Sequence, residues 1–395
     1  MLNGEVLIAA GARTPIGDFQ GSLADISPIE LGKTALKGAL EKSGIKAELV
    51  EEVIAGNCYQ ASSPGNVARH IALGSGCSVS SVAMTVNQQC PSSMRAVEII
   101  SHEILLGRIE IGAVVGTESM TNAPYLLMKG RGGYRMGNSE IVDSLMYNGL
   151  LCGICNCHIG VTAENIVQLY NISREEQDEI AFISHTRAAE AVRAGKFNEE
   201  MIPVEIKTKK GPKAFAKDEH VRENISREEL AKLRPVFKKD GTVTAGNSSG
   251  ICDGAAALIL LGKDKAGELG IRPLARVVST ASASVDPTVM GLGVTPAVMR
   301  ALKFSGLTKE DIGYWEINEA FAAQFLGVKR ELNLSLEIVN ANGSGISLGH
   351  PVGCTGARII VTLIYEMRRR GVRYGCAALC AGGGPAAAII IEGLY

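Results

Sequence analysis

The chain has 395 residues, 46% apolar and 21% charged, the balance of a folded globular protein rather than a disordered one. Forty basic against 41 acidic residues give a net charge of −1, so no positive field exists to hold nucleic acid or an anionic membrane surface. Its 46 glycines and 13 prolines follow no three-residue period, which excludes collagen, and one Trp with 5% aromatics leaves little for base stacking.

At about 150 residues per domain the length predicts two or three domains. Glu5 and the short apolar run Val6 to Ala10 do not make a signal peptide, and no apolar stretch reaches the roughly 18 residues of a membrane span. Ten cysteines without an export signal read as free thiols in a reducing cytoplasm. Glu5 to Ala10 predicts a buried strand. Ser27, Pro28 and Gly44 predict the cap, first turn and end of a helix. Val53 to Gly56 and Val82 to Val86 predict strands, the second running into Asn87-Gln88-Gln89-Cys90. Pro91 then opens a helix to about Leu106, Gly107 ends it, and Ile111 to Val115 returns as a strand. This is the alternation of an α/β domain.

Residues 120 to 245 differ. Met- and Gly-rich loops precede a helix predicted from Thr162 to Ala194, kinked or broken by the polar run Ser173 to Glu179. Lys207, Lys209, Lys210, Lys213 and Lys217 follow, either a solvated face or a steering patch for a phosphate-bearing ligand. The stretch reads as an insertion or cap domain. Beyond it the beginning repeats: Ala39 to Gly44 matches Ala301 to Gly306 at an offset of 262. Cys90-Pro91, helix and Gly107 match His350-Pro351, helix and Gly371, the first pair at an offset of 260. Two alignments with nearly one offset predict an internal duplication. Ligands of open α/β sheets bind at the carboxyl ends of strands. Cys90 and His350, as equivalent helix starts, are therefore expected to converge on one crevice.

Cys90 at a strand-to-helix corner is either a packed apolar thiol or a nucleophile activated by unpaired N–H groups. His350 stands in a loop rich in Gly, Asn and Pro, Asn342 to Gly356, and is the best base candidate among six histidines. Cys380, before three glycines, suits an acid or base, and Asn318 suits a helix cap or the holder of a catalytic water. Cys152, Cys155, Cys157 and His158 form a C-x2-C-x-C-H run too compressed for a zinc knuckle, so no metal is expected. His70, His102, His185 and His220 carry no motif. Dinucleotide, nucleophile-elbow and P-loop signatures are absent.

Taken in order, these blocks resemble the thiolase family nearly end to end. The blocks are Ala12 to Gly17, Val86 to Cys90, His158 to Asn165, Thr244 to Gly250, Asp253 to Ala257, Asn318 to Ala322, Asn342 to Gly356 and Cys380 to Gly384. The resemblance implies an α/β, duplicated thiolase-like fold of five layers (αβαβα). Its N-terminal half would span 1–270, with a loop domain at about 120–245, and its C-terminal half 271–395. It implies acetyl-CoA C-acyltransferase activity, forming or cleaving 3-oxoacyl-CoA in fatty acid metabolism. Acetoacetyl-CoA would be the default substrate, coenzyme A or acyl-CoA the substrate rather than a permanent cofactor. Cys90 would be the nucleophile, His350 its base and Cys380 the second acid–base group. Asn318 (through a water) and His350 would bind one oxyanion, the N–H groups of Cys90 and Gly382 the other. Coenzyme A would lie near His158, Arg222, Ser249, Ala245 and Phe321, in a homodimer or homotetramer.

Pro91-Ser92-Ser93 replaces the family's Gly-Ser-Gly after the nucleophile, and Pro385-Ala386 follows the third turn glycine. Both departures are expected to narrow the pocket or shift acyl specificity. They leave open a thiolase for a longer or unusual 3-oxoacyl-CoA and a non-catalytic acyl-CoA-binding paralogue. A ketoacyl synthase, with a second histidine where this chain has Asn318, is the enzyme rival.

Overall fold

The computed structural model describes residues 4–395, so Met1 to Asn3 of the N-terminal segment lie outside the described residues. Strands β1 (Val6–Arg13), β2 (Glu52–Gly56), β3 (Val82–Val86) and β4 (Ile111–Ser119) form with helices α1 (Pro28–Ser43), α2 (Val67–Gly74) and α3 (Ser92–Leu105). After them come a short hairpin, β5 (Leu151–Cys152) and β6 (Cys157–His158), and helices α4 (Ile159–Tyr170) and α5 (Arg174–Arg193). Strands β7 (Cys252–Gly262), β8 (Ala275–Ser284), β9 (Tyr314–Ile317), β10 (Tyr374–Cys380) and β11 (Pro385–Gly393) follow with helices α6 (Val294–Ser305), α7 (Ala322–Leu332) and α8 (Thr355–Arg370).

Local chemistry sets the boundaries. Ser27 Oγ accepts from the Glu30 N–H, Pro28 fills the first turn, and Gly44 ends α1 at φ 69°. Gly306 ends α6 in the same left-handed state, φ 72°. The helix expected from Thr162 to Ala194 is two helices. Asn171 turns left-handed at φ 48°, and Ser173 with Glu176 builds a capping box that starts α5. Of the kink and the break that the polar run allowed, the structure has the break, and the run starts the second helix.

The strands join in the order β9-β10-β11-β8-β1-β7-β4-β2-β3. Inward from β9 the pairings run parallel, antiparallel, antiparallel, and inward from β2 they run the same way. The two sets meet at the antiparallel seam of β1 and β8, where Val6, Leu7 and Ile8 face Val277, Arg276 and Ala275. Even the edge repeats: β3 runs parallel beside β2, and Val339 forms a parallel bridge with Trp315 of β9.

Three apolar clusters arrange these elements as five layers. α1 and α2 cover the outer face of β1, β2, β4 and β7. α3 and α8 fill the middle, between the inner faces of both strand sets. α6 and α7 cover the far face of β9, β10 and β11, and α4 joins them there. The segment between β4 and β7 is pinned to β1 by buried Arg13, which donates to Glu200 at 2.6 Å and to both Asp218 oxygens at 2.7 and 2.9 Å. A buried pair of this kind is costly to break from one side.

Candidate active site

A cavity of about 580 Å³ opens where the carboxyl ends of β3 and β10 approach the N-termini of α3 and α8. Cys90, His350, Cys380, Gly382, His158, Arg222, Ser249, Ala245 and Phe321 all line it. Asn318 does not; it is buried behind the wall.

Cys90 reaches the cavity because Gln89, just before it, adopts a left-handed φ of 57° that swings the corner outward. For a residue with a side chain this conformation is strained, and it is maintained by the packing around it. Gln89 itself donates to the Asn148 carbonyl at 3.2 Å. Pro91 is no obstacle, since the N–H groups at a helix start have no intrahelical partner to lose.

His350 Nε2 lies 3.2 Å from Cys90 Sγ. Its tautomer follows from its other contact. The Thr355 hydroxyl donates to the Pro351 carbonyl at 2.9 Å, so its oxygen accepts from His350 Nδ1 at 2.6 Å. Nδ1 therefore carries the proton and Nε2 presents a lone pair to the thiol. Burial, then the Arg358 guanidinium, lowers His350 to about 3. Burial and then nearby Cys380 push Cys90 well above a free thiol, against the pull of the N–H groups of Cys90 and Gly382. The pair rests as neutral thiol and neutral imidazole. Burial likewise raises Cys380 to about 12, so it rests protonated.

The expected equivalence of Cys90 and His350 as helix starts is corrected. α3 begins at Ser92 and α8 at Thr355, so His350 stands five residues before its helix and Cys90 two before its own. A short helical turn, Gly345–Leu348, and Gly349 at φ 94° deliver the histidine instead. A Cβ on Gly349 would lie 2.4 Å from Cys252 Sγ.

Asn318 caps nothing. α7 begins at Ala322, and both side-chain polar atoms of Asn318 are buried without a partner among the described residues. Such atoms are costly unless a water or ligand completes them. The expected narrowing by Ser93, Pro385 and Ala386 is also corrected, because none of them lines the cavity. Fully buried Ser93 turns toward α8, where its Oγ accepts from the Ala357 N–H at 2.8 Å and donates to the Cys354 carbonyl at 3.3 Å.

His158 caps α4, accepting from the Gly160 N–H at 3.0 Å, and its ring stacks on Phe237 at 4.6 Å. Phe237 meets Phe321 edge to face at 5.9 Å, completing an aromatic wall. Exposed Arg222 supplies positive charge at the mouth, whereas the lysines of 207 to 217 do not line the cavity. Sequence reasoning missed Thr355, although it lies inside the Asn342 to Gly356 block. It also missed Phe237, which carried no local signal. His220, set aside for lack of a motif, lines the cavity 2.5 Å from Asp18, and Cys252 lies beside the two.

A thiol facing an imidazole of fixed tautomer, beside a second thiol and converging N–H groups, is equipped for acyl transfer. Residues 6–264 match the family described as thiolase, N-terminal domain, and residues 271–393 match thiolase, C-terminal domain. The chain is 48% identical to the acetyl-CoA acetyltransferase of Syntrophomonas wolfei over 99% of both chains. Among solved structures, the acetyl-CoA acetyltransferase of Bacillus anthracis superposes with a TM-score of 0.97 at 45% identity, covering 99% of each chain. Human mitochondrial 3-ketoacyl-CoA thiolase in complex with CoA gives 0.96 at 41%, covering 100% of this chain and 99% of that one. The chain belongs to the thiolase family.

Proposed function

We propose that this protein is an acetyl-CoA C-acyltransferase that makes or cleaves 3-oxoacyl-CoA through an acyl-cysteine at Cys90. The observation that carries this reading is the 3.2 Å approach of His350 Nε2 to Cys90 Sγ inside a cavity that also holds Cys380. Met120, Leu150 and Val352 wall the cavity and pack in one cluster with Cys90, which favours a short acyl group and acetoacetyl-CoA as substrate.

In the condensing direction Cys90 attacks the thioester carbonyl as its proton passes to His350 Nε2. Thr355 holds the other ring proton, so the imidazolium forms without turning. The N–H groups of Cys90 and Gly382 receive one oxyanion, and His350 with a water on Asn318 receives the other. One such donor contributes about 3 kcal/mol to the transition state. Cys380 protonates the departing coenzyme A sulfur, and its thiolate then takes the α-proton of acetyl-CoA. The carbanion attacks the acyl-cysteine, and Cys90 regains its proton from His350.

Coenzyme A lies along His158, Phe321, Ala245 and Ser249, with Arg222 meeting its phosphates, and no resident cofactor takes part. The N-terminal half is 1–270, carrying the inserted segment of about 120–245, and the C-terminal half is 271–395. The protein works in the cytoplasm as a homodimer or homotetramer.

Thiolysis of acetoacetyl-CoA and longer 3-oxoacyl-CoAs, wild type beside Cys90→Ser, tests the reading. Turnover is expected in wild type and loss in the variant, with a mass increment on Cys90 after acyl-CoA alone. A wild type that binds acyl-CoA, remains unacylated and turns over no chain length would show a non-catalytic binding protein.

A further inference from the structure

The hairpin β5–β6 carries three cysteines that the acyl-transfer steps do not use. Cys152 pairs in register with Cys157 across its two strands, and Asn156 closes the turn at φ 50°. The turn brings Cys155 Sγ to 3.0 Å from Cys157 Sγ. That is about 1 Å beyond a covalent S–S bond, and both residues are partly exposed. Buried Cys152 lies behind them. Burial raises its thiol, but the N–H groups of Cys155, Ile154 and Gly383 and the Cys155 thiol outweigh burial and leave it low. Burial first, then its two sulfur neighbours, raises Cys155 to about 12.

We propose that Cys155 and Cys157 form a reversible oxidation site, closed to a disulfide by a low-molecular-weight disulfide oxidant. Cys157 gives up its proton and attacks one sulfur of the oxidant, expelling the first small thiolate. Cys155 attacks the Cys157 sulfur while its proton passes through Cys152 to the second small thiolate, which leaves as a free thiol. Two electrons move from the protein pair to the oxidant, and the two protons end on the two released thiols.

The placement gives the bond a consequence. Cys157 adjoins His158, whose ring forms the aromatic wall with Phe237, and Cys152 receives the N–H of Gly383, next to Gly382. Closing the turn shifts both the ligand wall and the Cys380 turn. This consequence rests on the acyltransferase reading; the bond itself does not.

The test uses reduced full-length protein treated with oxidised glutathione, alkylated and digested with trypsin. Met136 to Arg174 is one tryptic peptide that contains Cys152, Cys155 and Cys157 and neither Cys90 nor Cys380. The expected peptide carries one alkyl group, on Cys152, and an internal bond that dithiothreitol reopens. Cys155→Ser abolishes the bond, and Cys152→Ser still forms it, more slowly. Three alkylated cysteines, a bond to Cys152 or a persistent glutathione adduct would overturn the proposal. In parallel, oxidised wild type is expected to show a severalfold higher KM for acyl-CoA than oxidised Cys155→Ser, while the two reduced proteins match. Equal KM values after oxidation would overturn the coupling to the pocket. Absence of turnover in reduced wild type would count against the acyltransferase reading and leave the mass result decisive for the bond.

Discussion

Thr355 decides what His350 can do. Its one hydroxyl proton is committed to the Pro351 carbonyl, so its oxygen only accepts, and the imidazole has one tautomer available. Thr355→Val keeps the shape and removes the acceptor. Nδ1 then loses its partner in a buried site, and the ring gains by moving its proton to Nε2, toward the thiol it should deprotonate. Loss of such an orienting bond typically costs roughly tenfold to a hundredfold in activity. The expected outcome is a kcat lowered by that factor with KM for acyl-CoA unchanged, and alkylation of Cys90 by iodoacetamide slowed in parallel. An equal rise in KM would mean the threonine shapes the pocket rather than the base. At this scale the sequence was partly legible. Cys90, His350 and Cys380 stand in blocks whose composition marks them. The tautomer-setting contact needs a turn that brings Thr355 back to the ring of His350, and residue types do not encode that distance.

α8 starts without a side-chain cap of its own, since Cys354 supplies none. Ser93 supplies one from α3, accepting the Ala357 N–H in the first turn of α8. The residue that departs from the family's glycine therefore binds the two central helices to each other at the level of Cys90. Ser93→Ala is expected to destabilise the fold by about 1–2 kcal/mol, the cost of an unmade cap with a buried donor left over. Urea titration measures it as a lower midpoint at unchanged slope, and thiolysis should fall by less than the stability loss suggests. A variant as stable as wild type would show that the contact contributes nothing. Element boundaries were read well wherever a cap was local, as at Ser27 and Gly44. The break before α5 was one of the two readings the polar run allowed, and the left-handed Asn171 decides it; the start of α8 was misread, because that helix is delayed after His350.

The whole molecule shows the duplication most clearly, because a pairing order repeated inward from β9 and from β2 is visible in no short sequence match. Buried ionisable groups lie in both halves and in the inserted segment, and these set how stability responds to pH. Burial lowers His185 and His350 to about 3, while burial raises Glu118 to about 7 and Glu316 to about 8. Between pH 4.5 and 6.5 the unfolded chain holds protons on the two histidines that the fold excludes, and the fold holds protons on the two glutamates that the unfolded chain has lost. The histidines make stability fall on acidification through this window, and the glutamates make it rise. The two effects oppose, so a single substitution isolates one of them. His185 accepts the Arg222 N–H at 3.2 Å through Nδ1, and Gln at that position keeps an acceptor without a titrating ring. Relative to wild type, His185→Gln should therefore gain about 1.4 kcal/mol for each pH unit of acidification across that window, and nothing above pH 7. Chemical denaturation of both proteins at several pH values measures the difference directly. A constant offset at every pH would mean that His185 takes up its proton as readily in the folded protein as in the unfolded chain, and that the cleft around it is wet.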